Sequence, residues 1–219
     1  GGKLANFASS AVVMKGKTVV ATGITLEKQP REPSISVTVR RGAISTGNGK
    51  SSFDHTLESI VEDAINRNIS YPSLEIARPK EENFLQVATK VWGWKLSCIH
   101  TIISDDGAVE GCVVASLLEA LNHLELECYT LDEEGELCRV EGVKKCIFNP
   151  FSIHKIGLFE GKLLIDPTTN EETVCEGTCS VVIGNDGLMG FSTTGYFPLG
   201  RDRLIEIFQK TRAQQMSNI

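Results

Sequence analysis

The sequence predicts an α+β protein in which mixed β-sheets and helices pack as two layers. Apolar residues alternate with polar ones in several β-branched runs, and they recur at helical spacing in other segments. These strand and helix patterns follow one another in blocks along the 219 residues, without an internal repeat or a low-complexity tract. Such an order is typical of a two-layer α+β or α/β domain, and we expect residues 1–219 to form one domain.

The first predicted elements are strands. Residues 11–24 hold two β-branched runs around Lys15-Gly16-Lys17, which suits a tight hairpin. Two prolines make 28–33 a loop, because proline cannot donate a ladder hydrogen bond. Apolar and polar residues then alternate over 35–39, which predicts a half-buried strand with Arg40 pointing outward.

The middle of the chain predicts two helices separated by a long strand. Residues 42–52 are rich in Gly, Ser, Thr and Asn, and we expect a mobile segment there. Helical spacing follows over 54–67, with Asp54 as the expected N-cap. Residues 91–103 form a long strand that ends at the turn 104–107, and a second helix begins at Val109.

The remaining part of the chain alternates short strands with one terminal helix. The strand candidates are residues 124–129, 142–148, 162–165 and 180–183. An amphipathic helix is predicted from Arg201 onward.

Composition narrows the class of protein. The chain is 41% hydrophobic and 23% charged, which is typical of a globular protein, and no apolar run reaches the roughly 18 residues of a membrane helix. The first residues lack the charged-then-apolar plan of a signal peptide, so we expect an intracellular location and no membrane partner. A net charge of −6 argues against a stand-alone RNA-binding module, since RNA is a polyanion.

The seven cysteines predict no metal site. Their number is odd, and no pair has the two-residue gap of a zinc knuckle or a thioredoxin motif. We expect reduced, partly buried thiols that act as small hydrophobic side chains.

Histidines and tryptophans are also expected to have structural roles. His100 and His123 are assigned structural or surface positions, and His154 has no identifiable acidic partner for a Ser/His nucleophile system. Trp92 and Trp94 share one face of the long strand, which favours the core or a subunit interface over base stacking.

Residues 163–183 are the most informative stretch. An apolar strand is followed by Asp166-Pro, an acidic linker and a second strand. Carboxylates in such a linker can hold a catalytic metal. We favour the alternative that Glu171, Glu172 and Glu176 lie in a solvated loop, which is the commoner role of an acidic turn.

The order of these motifs resembles the RNase PH family, and more narrowly the ring-forming subunits of the eukaryotic RNA exosome. Residues 8–24, 90–121 and 163–195 carry the resemblance. Its most specific part is the pair Asp-Gly-Ala-Val-Glu-Gly-Cys-Val-Val-Ala-Ser-Leu at 106–117 and Leu-Ile-Asp-Pro-Thr-Thr-Asn-Glu-Glu at 164–172. The resemblance implies an RNase PH-like fold, which is similar to domain 2 of ribosomal protein S5.

Active members of the family degrade RNA from its 3′ end by attack of inorganic phosphate. The resemblance implies that they carry a phosphate-binding Arg where this chain has Glu110, and an Asp where it has Thr178, twelve residues after Asp166. A carboxylate repels phosphate, and threonine neither holds a metal strongly nor acts as a general acid. Glu110, Asp166 and Thr178 are therefore degenerate active-site positions, and we expect a non-catalytic subunit with no catalytic residue, metal or cofactor.

The resemblance also implies partners. The chain would pair with other RNase PH-like subunits in a hexameric ring that carries S1/KH cap proteins and passes RNA to a separate nuclease. RNA and rRNA processing in the nucleus, nucleolus and cytoplasm would follow. Arg40, Arg41 and Lys50 would contact RNA from the pore side, although solvated surface charge is an equal alternative for them.

Three rival functions stay open at the level of sequence. The chain could be an active phosphorolytic exoribonuclease with Mg²⁺ at Asp166, or it could donate phosphate or RNA contacts to an active site shared with a partner. A free-standing RNA-binding protein is disfavoured by the acidic charge. The chain also departs from the family pattern, since the usual opening Arg-Pro-Asp-Gly-Arg segment is missing and 150–159 looks shortened.

Overall fold

A computed structural model describes residues 6–42, 52–77, 91–132, 135–185 and 187–217. Lys50 and nearly all of the segment 42–52 that was expected to be mobile lie outside these ranges. In chain order the elements are β1 (Ser9–Lys15), β2 (Thr18–Gln29), β3 (Ser34–Arg41), α1 (Ser52–Asn68), α2 (Tyr71–Leu74), β4 (Glu75–Ala77), β5 (Trp92–Ser104), α3 (Val109–Asn122), β6 (Glu125–Leu131), β7 (Leu137–Lys145), β8 (Phe151–Phe159), β9 (Lys162–Ile165), α4 (Thr169–Val174), β10 (Gly177–Gly184), β11 (Gly187–Gly195) and α5 (Arg201–Ser217).

The first sheet has the order β1-β2-β5-β3, with β4 paired to the start of β5. β3 runs parallel to β5, and the other pairs are antiparallel. β1 and β2 form the predicted hairpin, in which Lys15 pairs with Thr18. Gly16 takes φ +61° in the two-residue turn, a conformation that glycine adopts without a Cβ clash.

The second sheet has the order β11-β10-β8-β9 and is antiparallel throughout. β6 and β7 form a separate two-stranded ribbon. α3 packs against β1 and β2 of the first sheet and also against β8 of the second, so its N-terminus lies where the two sheets meet.

Two hydrophobic clusters hold these layers together. The larger one joins the buried face of β5 to α1 and α3, with Leu96, Leu57 and Leu117 among its fully buried side chains. The smaller one packs α5 on the second sheet through Ile207 and Ile156. This arrangement confirms the predicted α+β two-layer class.

Several sequence predictions are confirmed element by element. The hairpin, the strand at 35–39, the long strand at 91–103, the helix from Val109 and the helix from Arg201 are all present. Trp94 lies in the core, where its ring meets the edge of Tyr129 with centroids 6.0 Å apart, and Trp92 packs against that core. The seven cysteines are free, and burial raises the pKa of Cys98 to about 12, so its thiol stays protonated.

The predicted cap and three predicted boundaries are wrong. α1 begins at Ser52, so Asp54 lies inside the first turn, where its Oδ1 accepts a hydrogen bond from Arg41 Nε at 3.1 Å. β2 continues to Gln29 and takes up part of the expected loop 28–33. β7 ends at Lys145 instead of spanning 142–148, because the chain pairs with β6 from Leu137 onward.

Five elements were not predicted, and two of them are α2 and β4, which follow α1. β8 fills the passage 150–159 that looked shortened, and this passage forms one continuous strand. β11 follows the Asn-Asp-Gly turn, and α4 replaces the expected acidic loop. Within the described residues, no helix is long and apolar enough to cross a membrane.

His100 is fully buried at the centre of the first sheet. Its Nδ1 lies 2.7 Å from Thr22 Oγ1, which in turn lies 2.5 Å from Ser116 Oγ on α3. Burial lowers the pKa of His100 from 6.5 to about 4, so the imidazole is neutral in the folded protein at neutral pH. This confirms the structural role that was predicted for His100.

Acid is therefore expected to destabilise the fold through His100. Between its unfolded pKa of 6.5 and its folded pKa of about 4, only the unfolded chain binds the proton, so stability falls as pH falls. The loss from this group is about 2 kcal/mol at pH 5, by 1.36 kcal/mol per pKa unit. Urea unfolding at pH 7 and pH 5 measures this loss. His100→Gln is the control, because it removes the contribution of His100 to the change of the free energy of unfolding with pH. Equal pH slopes in both proteins would contradict the assignment.

Candidate functional site

A cleft of about 450 Å³ lies where the two sheets meet. Its walls come from the start of α1, the N-terminus of α3, β8, α4 and the first residues of β10, and the last residues of β11 close it. The polar and charged side chains that line it are Thr56, Glu110, Lys155, Glu172, Cys175, Glu176, Thr178, Ser180, Ser192 and Thr194. Phe53 contributes an aromatic wall.

Glu110 is the innermost carboxyl group of the cleft. It lies in the first turn of α3 and is only 2% exposed. Ser180 Oγ donates a hydrogen bond to its Oε1 at 3.1 Å, while its Oε2 has no hydrogen-bond partner among the described residues. Burial raises the pKa of Glu110 above its usual range, although Lys155 acts in the opposite direction.

Lys155 is the only cationic residue among those that line the cleft. Its Nζ lies 2.8 Å from Glu172 Oε2, 3.6 Å from Glu110 Oε1 and 5.0 Å from the centroid of the Phe53 ring. Burial acts to lower the pKa of Lys155, but the two carboxylates outweigh it and raise that pKa. The ammonium group is therefore enclosed by acceptors of this same chain.

The acidic linker is structured. Thr168 and Glu171 form a capping box at the start of α4, each side chain bonding the other residue's backbone N–H. Glu172 points into the cleft, where its Oε1 accepts from the Ala108 N–H at 3.1 Å. The expectation of a solvated loop is thus wrong for Glu172, because two protein donors hold its carboxylate, whereas Glu171 and Glu176 are exposed as expected.

Hydroxyl groups form the floor of the cleft. Thr178 pairs with Thr194, and Ser180 pairs with Ser192, across the β10–β11 ladder. Thr178 lies two residues before Ser180 in β10, and Thr178 and Glu110 line the same cleft. A hydroxyl at Thr178 can accept or donate a hydrogen bond, but it carries no charge near neutral pH.

Asp166, by contrast, does not line the cleft. Its Oδ2 lies 2.5 Å from Lys15 Nζ and 3.6 Å from His154 Nδ1, and its Oδ1 accepts from the Lys155 backbone N–H. Burial acts to raise the pKa of Asp166, but His154 and Lys15 outweigh it and lower that pKa. No acidic partner of His154 was identifiable from the sequence, and the structure corrects this by placing Asp166 beside it. The two residues form a buried pair beside the hairpin tip.

The two motifs that carry the family resemblance lie against each other. Thr18 Oγ1 accepts from the Asp106 N–H and donates to the Gly107 carbonyl, and the Thr169 N–H donates to the Asp106 carbonyl. Gly107 has φ +92°, and a Cβ there would come within 2.3 Å of the Pro167 carbonyl oxygen. Asp-Asp-Gly and Asp-Pro-Thr are therefore packing partners beside the end of β5 and the start of β2.

The three basic positions assigned to RNA differ from one another. Arg41 donates to Asp54 and, at 2.9 Å, to Asp105, so two carboxylates neutralise its charge. Arg40 is exposed and has no ion-pair partner in the described ranges. Lys50 lies outside those ranges.

Sequence reasoning missed Lys155, Phe53 and the hydroxyls of β11. A lysine inside the apolar run Ile-His-Lys-Ile of β8 was an available signal, because lysine is rarely buried unless it is paired. Among the described residues, no group of three or more His, Cys, Asp or Glu side chains could hold a metal ion.

No protein-family model matches the chain. Solved structures do. A chain of an archaeal exosome core aligns with TM-score 0.71 and 16% identity, over 95% of this chain and 78% of that one. A chain of the Archaeoglobus fulgidus exosome with RNA bound to the active site aligns with TM-score 0.70 and 17% identity, over 97% and 85%.

Rice (Oryza sativa) Rrp46 is also similar, with TM-score 0.63, 16% identity and coverage of 96% of this chain and 84% of that one. At these sequence identities the similarity shows the fold alone, and the chemistry has to be inferred from the residues of the cleft. The fold of this chain is the RNase PH-like fold of the exosome core structures.

Proposed function

We propose that this chain is a non-catalytic, RNase PH-like subunit of an RNA exosome ring. The observation that carries the proposal is Glu110, a buried carboxyl group at the inner end of the cleft in a chain with this fold. A phosphorolytic site must hold an inorganic phosphate with cationic donors. Glu110 presents an acceptor or a neutral acid there, and neither binds phosphate well.

The other cleft residues support the same conclusion. Lys155 is the single cation in the lining, and Glu110 and Glu172 already engage it. Its charge is therefore not available to an incoming phosphate unless an ion pair breaks. Thr178 offers no carboxylate for Mg²⁺ or for proton transfer.

Two sheet edges support a role in assembly. β1 is an edge strand of the first sheet, and its Val12 and Met14 side chains are 62% and 72% exposed. β11 is an edge strand of the second sheet, where Leu188 and Phe191 are exposed. Edge strands with apolar side chains are suited to pairing with other chains. We propose other RNase PH-like subunits as these neighbours, with S1/KH cap proteins, RNA and a separate nuclease completing the assembly in the nucleus, the nucleolus and the cytoplasm.

Native mass spectrometry of the complex isolated through a tag on this chain tests the assignment. We expect a complex that contains one copy of this chain and several different RNase PH-like subunits. A chain that is isolated alone, or only as a homo-oligomer, would contradict the proposal.

A second candidate function is a subunit that donates RNA contacts to a site shared with a partner. Arg40 favours it, because its side chain is exposed and has no ion-pair partner among the described residues, and such a guanidinium at a strand end can bind a phosphate. Arg41 is less suited to this role because its guanidinium is held by two carboxylates.

Arg40→Glu is therefore expected to weaken RNA binding by the isolated complex and to reduce the salt slope of that binding by about 1. Arg31→Glu, at an exposed position in the connection between β2 and β3, is the matched control. Arg41→Glu would instead place a third carboxylate beside Asp54 and Asp105 and lower stability. Unchanged affinity and salt slope in Arg40→Glu would leave Arg40 as ordinary surface charge.

A further inference from the structure

The charges that line the cleft do not balance. The lining holds one ammonium group, that of Lys155, and three carboxyl groups, those of Glu110, Glu172 and Glu176. When all four groups are ionised, two negative charges therefore remain unbalanced. An RNA or phosphate ligand would add to this excess. A cationic ligand would reduce it.

The second observation is independent of that count and concerns one atom. Glu110 is 2% exposed, lines the cleft and has its Oε2 without a hydrogen-bond partner among the described residues. Lys155 reaches only the other oxygen, Oε1, at 3.6 Å. A buried carboxylate oxygen without a donor is costly, and a ligand that supplies an N–H group there recovers the loss.

The surroundings of Glu110 favour an organic cation over a metal ion. The floor consists of four hydroxyl groups, which accept hydrogen bonds from N–H donors but are weak ligands for a divalent cation. No metal-holding group of three His, Cys, Asp or Glu side chains occurs in the described part of the chain. The Phe53 ring, which already attracts the Lys155 ammonium at 5.0 Å, is a suitable wall for a flat guanidinium.

We propose that the cleft binds an organic cation with N–H donors, a guanidinium or alkylammonium group, with Glu110 Oε2 as its innermost acceptor. The volume of about 450 Å³ is within the usual range for small-ligand sites. The group can belong to a free small molecule or to a basic side chain, since both offer the same donors. The site does not depend on whether the chain joins a ring.

Titration of the full chain with butylguanidinium, followed by calorimetry and by amide chemical shifts, tests the proposal. We expect saturable binding that shifts the signals of Thr178, Ser180, Ser192 and Thr194. Butylurea has the same shape without the charge, and its binding should be at least about tenfold weaker, as expected for the loss of a charged hydrogen bond.

Variants locate the binding to the cleft. Glu110→Gln should weaken butylguanidinium binding about tenfold, since it removes the innermost carboxylate. Glu119→Gln removes the same charge from the exposed end of α3 and should leave the affinity unchanged. Glu176→Gln lies at an exposed position where folding is not at risk, and it should weaken binding about twofold.

A blocked Gly-Arg-Gly tripeptide distinguishes the two sources of the cation. Binding as tight as that of butylguanidinium, or tighter, indicates a basic side chain as the natural occupant. Weaker binding indicates a free small cation, and both outcomes support the site. The proposal is overturned if butylguanidinium does not saturate, if butylurea binds equally well, if Glu110→Gln leaves the affinity unchanged, or if inorganic phosphate shifts the same signals.

Discussion

Gly107→Ala is expected to lower the free energy of unfolding by about 4 kcal/mol, the combined effect of a left-handed non-glycine residue and of overpacking. Gly107 has φ +92°, and the new Cβ would lie 2.3 Å from the Pro167 carbonyl oxygen and 2.6 Å from the Thr169 nitrogen. Both contacts are with backbone, which cannot rotate away as a side chain could. The turn after β5 would have to separate from the Asp-Pro-Thr loop.

Gly161→Ala is the matched control for Gly107→Ala. Gly161 also has a positive φ, +72°, but no other atom lies within 4 Å of the position of its Cβ. Only the backbone strain of about 1 kcal/mol should therefore appear there. Urea unfolding of the two variants separates strain from the steric clash. Equal losses in both variants would show that the contact between the two motifs contributes nothing.

Lys155→Met is expected to lower the free energy of unfolding by about 3 to 5 kcal/mol, the usual range when one partner of a buried ion pair is removed. The side chain of Lys155 is 10% exposed, and its ammonium is the counter-charge for Glu110 and Glu172. Methionine fills a similar volume, so packing is nearly preserved. The decrease in the free energy of unfolding therefore measures the cost of leaving two carboxylates without their cation.

The double variant Lys155→Met with Glu110→Gln tests this cause. Removing the charge of Glu110 should recover part of the loss, because only Glu172, which keeps the Ala108 N–H, is then without its cation. Lys162→Met, at the exposed start of β9, controls for the loss of a surface lysine. A loss in Lys155→Met no larger than that in Lys162→Met would contradict the enclosed ion-pair cluster.

Local patterns were enough to predict four strands of the first sheet, β1, β2, β3 and β5, and the helix after β5. The β1–β2 hairpin needed only Gly16 between two β-branched runs, and β5 alternates cleanly because one of its faces is buried. β8 was not predicted because seven of its nine residues are buried, on both faces of the strand. Buried and exposed positions therefore do not alternate along its sequence. β11 was not predicted for the opposite reason, because this strand is rich in glycine and polar residues and is mostly exposed.

The candidate site was predictable only in part. The resemblance directed attention to Glu110 and Thr178, and the fold brings both to one cleft. Lys155 and Ser192 come from β8 and β11, neither of which was predicted, and no local signal places them opposite Glu110. The resemblance assigned Asp166 to the same site, but its side chain turns to Lys15 and His154.

The acidic linker shows how a local rule could have improved the prediction. Thr168 and Glu171 have the spacing of a capping box, which predicts a helix start. With a helix there, Glu172 falls on the side that faces Lys155, whereas a loop would have left its direction open. The place of the Asp-Pro-Thr motif in the fold is explained in the same way, since the motif packs against Gly107 and precedes α4.

Phosphate-dependent cleavage of oligo(A) in the presence of Mg²⁺ tests the proposed function most directly. The assay is run on the chain alone and on the complex isolated through it, and it measures released nucleoside diphosphates. We expect no release from the chain, and we expect any release from the complex to be unchanged by Glu172→Gln. Phosphate-dependent release that this substitution in the cleft abolishes would show a working phosphorolytic site and contradict the assignment of a non-catalytic subunit.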